Sequence, residues 1–186
     1  MTAVTTLPYG RALTRADLDS MPDDGHRYEL IDGLLIVSPA PVPLHQVVVA
    51  NLIVVLRAAR RDDTQVVLPA PVDVVLADDS VLQPDVLVAR AADFSPTQLA
   101  VAPLLAVEVL SPSTRRFDLL SKRSRYESAG CLSYWVIDPD VPSLIAWELR
   151  DAAYVEVARV SGDAEFCAQL PFPVTIAPST LVHFHR

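Results

Sequence analysis

The sequence predicts an α/β chain of the α+β kind: one mixed β-sheet with helices packed on it, preceded by a short N-terminal helix and a β-hairpin. Three observations lead there. Val-rich segments broken by Pro and Asp recur from residue 65 onward, and two stretches with helical spacing are interleaved with strand-like ones. The length of 186 residues suits a single core without staples, so residues 1–186 read as one domain, and no internal repeat, linker or low-complexity tract interrupts it.

Each element has its own signal. Thr14 can cap a helix reaching Met21, with Asp17 in the capping-box position, and the Pro-Asp-Asp-Gly run at 22–25 ends it. "RYELIDGLLIVSP" reads as two strands joined at Asp32-Gly33, a strong hairpin signal. From about 43 to 61, Val47, Leu52, Val55 and Leu56 fall at helical spacing, against the weaker helix propensity of its β-branched residues. Strands are expected near 65–68, 71–77, 81–89 and 103–110. Ser113 or Thr114 can cap the basic helix that follows, and Gly130 should end it. "LSYWVID", "SLIAWEL" and "AYVEVARV" look like three further strands, with Tyr134 and Trp135 as packing residues. The tail reads as a loop with a short terminal turn, in which His183 and His185 carry no evident role.

Composition narrows the function classes. The chain is 51% hydrophobic and only 6% aromatic. Cys131 and Cys167 lack metal-ligand spacing and the N-terminus lacks a signal-peptide layout, which favours a reducing cytoplasm. Apolar runs are interrupted well before the roughly 20 residues of a membrane span. A formal net charge of −8 opposes long-range attraction to nucleic acid. Its distribution is uneven, because Arg115, Arg116, Lys122, Arg123 and Arg125 gather a third of the 15 basic residues into one helix. A solvated helix face and a phosphate-facing patch are both consistent with that run.

Within the Leu- and Val-rich "LLAVEVLS", Glu108 is out of place, since burying an unpaired charge is costly. Asp85 interrupts "QPDVLV" in the same way. Two carboxylates on neighbouring strand ends repel one another unless a cation lies between them, and hard oxygen ligands favour Mg²⁺ or Mn²⁺. The simpler alternative is that each caps a loop or meets an arginine. Glu29 in "RYELIDG" could bind metal, orient a water, or pair with Arg27 or Lys122. Asp118, Lys122 and Tyr126 recur every four residues and share a helix face. They form either an exposed ion pair or a site in which Lys122 stabilises phosphoryl charge, and periodicity does not choose between the two.

"RYELIDG", "LHQVVVANL", "QPDVLV" and "EVLSPSTRRFDLLSKRSRYESAGCLSYWVIDP" resemble the Uma-type restriction endonuclease family, within the PD-(D/E)XK nuclease superfamily. The resemblance runs from about residue 13 to the end, and its most specific segment is 108–139. It implies a restriction-endonuclease-like core and metal-dependent hydrolysis of DNA phosphodiesters. Asp85 then stands for the aspartate of the Pro-Asp pair, Glu108 for the second acid and Glu29 for the acid of the first hairpin. One departure is plain: the superfamily pattern asks for Lys two residues after the second acid, where this chain has Leu110. Lys122 is the expected substitute.

His45, in "LHQ" with Gln46, is either a core or capping histidine or a support for the metal site. The implied mechanism has one or two Mg²⁺ (or Mn²⁺) ions on Asp85, Glu108 and the Val109 carbonyl, with Lys122 assisting and Asp118 and Tyr126 supporting. Arg115, Arg116 and Arg125 would contact DNA phosphates, with weak and salt-dependent affinity given the net charge. A homodimer would let such an enzyme meet two strands. The rival is a nuclease-fold relative that binds or assembles without cutting, which the missing lysine and the acidity favour. A glycoside hydrolase pairing Glu29 with Glu108 fits the acids but neither the basic helix nor the scarcity of aromatics.

Overall fold

The computed structural model describes residues 7, 8 and 10–184; His185 lies outside them. Helix α1 (Arg15–Leu18) is shorter than expected, with the Thr14 N–H donating to Asp17 Oδ2 at 2.8 Å. Strands β1 (Arg27–Ile31) and β2 (Leu34–Ser38) form the expected hairpin. Its two turn residues, Asp32 and Gly33, have φ of 49° and 77°, as a two-residue turn between right-twisted strands requires. Glycine is needed at 33 for a second reason, because a Cβ there would lie 2.5 Å from Ala12 Cβ.

Helix α2 (Pro43–Ala59) follows with Pro at its first position, then β3 (Gln65–Pro69). The expected strand 71–77 is only β4 (Val74–Ala77), and the expected strand 81–89 divides into β5 (Ser80–Leu82) and β6 (Val86–Arg90). Pro84 explains the break, since it lacks the N–H that a ladder needs. The two halves go to different sheets. β5 joins a four-stranded antiparallel sheet in the order β2-β1-β5-β4, and β6 enters the main one.

That main sheet adds β7 (Leu105–Val109), β8 (Ser133–Asp138), β9 (Ser143–Arg150) and β10 (Ala153–Ser161) in the order β10-β9-β8-β7-β6-β3. Only β7 and β8 run parallel, so the sheet is mixed. A parallel pair needs a crossover. Here it is the basic helix, a π-helical segment Phe117–Lys122 continuing into α3 (Arg123–Ser128). Gly130, at φ +82°, closes it as expected: its N–H reaches Glu127 O and that of Cys131 reaches Tyr126 O. At the other end the expected hydroxyl cap is displaced, since Ser111 Oγ accepts the Thr114 N–H while the Thr114 hydroxyl donates to Asp118.

Both faces of the sheet are covered. Val86, Val88, Val107 and Val109 pack with Leu52 and Leu56 of α2, while Leu87, Ala106, Tyr134 and Val136 pack on the other side with Tyr126 of α3. Alternation along β7 therefore assigns Glu108 to the α3 side. The tail, expected as loop and turn, adds a hairpin of β11 (Phe166–Ala168) and β12 (Val174–Ile176) before α4 (Pro178–Leu181); its inward Phe166, Ala168, Val174 and Ile176 extend the α2-side core. Among the described residues no helix is long and apolar enough to cross a membrane.

Candidate active site

Val86 pairs with Val107 across β6 and β7, and the same antiparallel register continued one step sets Asp85 against Glu108. Asp85 Oδ2 accepts the Val109 N–H at 2.8 Å and lies 3.1 Å from His45 Nε2 at the start of α2. Its Oδ1 accepts from Arg27 Nη1 at 2.8 Å, on the strand where Arg27 and Glu29 share a face. Behind this group stands Lys122, whose Nζ is 3.2 Å from Glu108 Oε1, 2.9 Å from Glu29 Oε1 and 3.4 Å from Asp118 Oδ1. The Gln83 N–H fixes Glu29 at 2.8 Å and the Thr114 hydroxyl fixes Asp118 at 2.7 Å.

Three β-segments and two helices thus converge on one cluster. The π-helical segment supplies Asp118 and Lys122 to that cluster, and such departures from α geometry are frequent at functional sites. Residue exposures of 0% for Glu29 and Lys122, 1% for Glu108 and Asp118 and 3% for Asp85 overturn the exposed-ion-pair reading of the helix stripe. Tyr126 is buried as well, its hydroxyl without a hydrogen-bond partner among the described residues.

The charges do not balance. Glu29, Asp85, Glu108 and Asp118 face the permanent cations Arg27 and Lys122, which leaves two formal negative charges when His45 is neutral. Burial pushes the Glu108 carboxyl well above its usual range, with Asp118, Asp85 and Glu29 adding to the effect against the pull of Lys122. Burial raises Asp118 too, opposed by Lys122 and Thr114. For Asp85 burial is outweighed by His45, Arg27 and Lys122, so it stays ionised below the usual carboxylate range. Lys122 stays charged despite its burial, because Glu108, Glu29 and Asp118 raise it.

The donors fit a divalent cation in type, and in charge once Glu108 and Asp118 give up the protons that burial favours: hard carboxylate oxygens that, all ionised, are short of two positive charges. Among the described residues no three His, Cys, Asp or Glu side chains already form a metal cage. Asp85 would have to release Arg27 to serve as a ligand, while the Val109 contact shown here is through its N–H.

Asp85 lies at the wall of a cleft of about 780 Å³ whose lining includes Arg27, His45, Gln46, Gln83 and Ser111. Leu110 is also there, 5% exposed and packed in the α3-side core, so Lys122 reaches Glu108 from the helix instead of from position 110. The arginines are less concentrated. Arg115 pairs with Asp138 at 2.6 Å, Arg116 is exposed, and Arg125 is held by Asp32 and Asp79, both at 3.3 Å, outside the cleft lining. Gln83, the Thr114 side chain and the contact of Arg27 with Asp85 are features the sequence did not place, Arg27 having been expected only as a partner of Glu29. Arg27 and Gln83 each stand two residues before a site acid, on the same strand face or in the same turn, which was the available signal.

A mixed sheet flanked by helices, with acids and a lysine gathered at the ends of two adjacent strands, is a restriction-endonuclease-like architecture. A family model, Uma2, described as "Putative restriction endonuclease", matches residues 15–179, and the chain belongs to that family. The fold is also that of a crystal structure described as a "putative nuclease belonging to DUF820" from Anabaena variabilis ATCC 29413, at a TM-score of 0.71 and 17% identity, covering 91% of this chain and 97% of that one. No curated protein matches the chain.

Proposed function

We propose that the chain is a divalent-metal-dependent endonuclease that hydrolyses DNA phosphodiesters, with Asp85, Glu108 and the Val109 carbonyl holding Mg²⁺ or Mn²⁺. The observation that carries this reading is the buried, under-neutralised set of acids around Lys122, ending at Asp85 in the cleft wall. Bound there, the cation would neutralise phosphoryl charge and lower the pKa of a water. The chain's own residues do the remainder. Lys122 holds Glu108 and Glu29 in place and supplies fixed positive charge. His45 and the Val109 N–H orient Asp85, and Arg27, once released from it, is the cleft cation nearest to an incoming phosphate.

The same reading includes a homodimer that meets both strands and a reducing compartment, for which the free thiols of Cys131 and Cys167 speak. A non-cutting, binding relative is the second reading, favoured by the Arg27–Asp85 contact and by Leu110. Incubating plasmid and oligonucleotide DNA with Mn²⁺ separates the two: the proposal expects cleavage by the native chain and none by Glu108→Ala. Equal, absent cleavage by both, at protein concentrations where DNA is bound, would leave the binding reading.

A further inference from the structure

We propose that the cleft beside Asp85 is a slot for an unpaired nucleobase, so that the substrate is single-stranded or locally unpaired DNA instead of intact duplex. This rests on the nuclease reading, without its two-strand homodimer, and names its substrate class.

The lining is wrong for a duplex backbone and right for a base. Among the described residues Arg27 is the one Lys or Arg side chain in the cleft lining, against five aspartates, Asp19, Asp23, Asp73, Asp85 and Asp140. Phosphates laid along that surface would be repelled, from a single strand as from a duplex, so what the cleft can take is a base and not a backbone. The walls are apolar and stiff. Seven prolines contribute, with φ fixed by their rings, and Leu44, Val49 and Ala70 fill between them. A volume of about 780 Å³ falls in the range that encloses small organic ligands such as a nucleoside.

An independent observation points to a ligand. Ser38 Oγ, His45 Nδ1 and Gln83 Oε1 are buried without hydrogen-bond partners among the described residues, and all three side chains belong to the cleft lining. Unsatisfied buried polar atoms are costly and need an explanation. The other imidazole nitrogen, Nε2, faces Asp85, so Nδ1 is the ring position left unpartnered. A hydroxyl, an imidazole nitrogen and an amide oxygen at the edge of an apolar slot match the donor and acceptor edges of a base. Inside a duplex those edges are paired and the faces stacked, so a base can enter only when unpaired or extruded, and extrusion is least costly for a single strand.

The test uses the full chain, a short labelled single strand and the matching duplex, with binding read by fluorescence anisotropy in Ca²⁺ and cleavage read in Mn²⁺. The single strand should bind roughly tenfold tighter than the duplex, the size of one base contact. Ala40→Leu, which narrows the cleft without offering an aromatic face, should remove most of that preference and leave Mn²⁺-induced thermal stabilisation unchanged. Ser38→Ala provides a second arm that removes one unpartnered hydroxyl: weaker single-strand binding without loss of stability is expected. Duplex binding equal to single-strand binding, or a preference that survives both substitutions, overturns the slot. Equal cutting of both substrates sinks the slot alone. A single-strand preference with no cutting sinks the nuclease reading and keeps the slot, and neither binding nor cutting sinks both.

Discussion

Lys122 Nζ stands 3.2 Å from Glu108 Oε1, with both side chains cut off from solvent. The superfamily pattern would bring an ammonium to this acid from position 110; here it arrives from the crossover helix, and the same ammonium also touches Glu29 and Asp118. On the reading proposed above, that ammonium serves the fold, by neutralising buried acids, as well as the chemistry.

Lys122→Met should therefore destabilise the chain by about 3–5 kcal/mol in urea unfolding, since removing one partner leaves buried carboxylates uncompensated. Cleavage should vanish with it. Glu29→Gln combined with Lys122→Met should recover part of the stability and none of the activity. A loss below about 1 kcal/mol for Lys122→Met would show that the acids are neutralised by something else.

Stability without metal should fall as pH rises. The Glu108 carboxyl is raised above its ordinary value by burial and by neighbouring acids, and Asp118 is raised as well. Above the ordinary carboxylate range the folded chain thus binds more protons than the unfolded one. Stability is full below that range and declines upward by about 1.4 kcal/mol per pH unit for each retained proton, until the raised pKa is passed. Asp85, lowered, acts in the opposite sense and only at acid pH. Glu108→Gln should flatten the decline in unfolding measured from pH 5 to 8, and an equally steep slope in that variant would reject the assignment.

Arg27 holds Asp85, so on the proposed reading it would compete with a cation for the carboxylate. Arg27→Met should lower stability by about 1–3 kcal/mol, the scale of a hydrogen bond to a charged group. The same variant should bind Mn²⁺ more tightly in calorimetric titration. Weaker Mn²⁺ binding would instead make Arg27 a support for the site.

Much of this was legible in the chain. Asp32-Gly33 announced the hairpin because few residues tolerate its dihedrals, and Glu108 announced a buried charged partner because a carboxylate has no place in a buried strand without one. The four-residue spacing of Asp118, Lys122 and Tyr126 put them on one face but could not say which way that face pointed; packing against the sheet decided it. The sharing of β5 and β6 between two sheets was hidden, since Pro84 marks a break without saying where each half goes. Arg27 was legible only as a possible partner of Glu29, because its contact with Asp85 spans 58 residues.

Thermal unfolding with and without Mn²⁺, in the native chain and in Asp85→Asn, tests the central claim most directly. Saturation at about a hundred times the dissociation constant adds about 2.7 kcal/mol, a rise of several degrees for a chain of this size. That rise should appear in the native protein and be lost in Asp85→Asn. No rise in the native chain, or the same rise in both, would contradict a metal site built on Asp85 and Glu108.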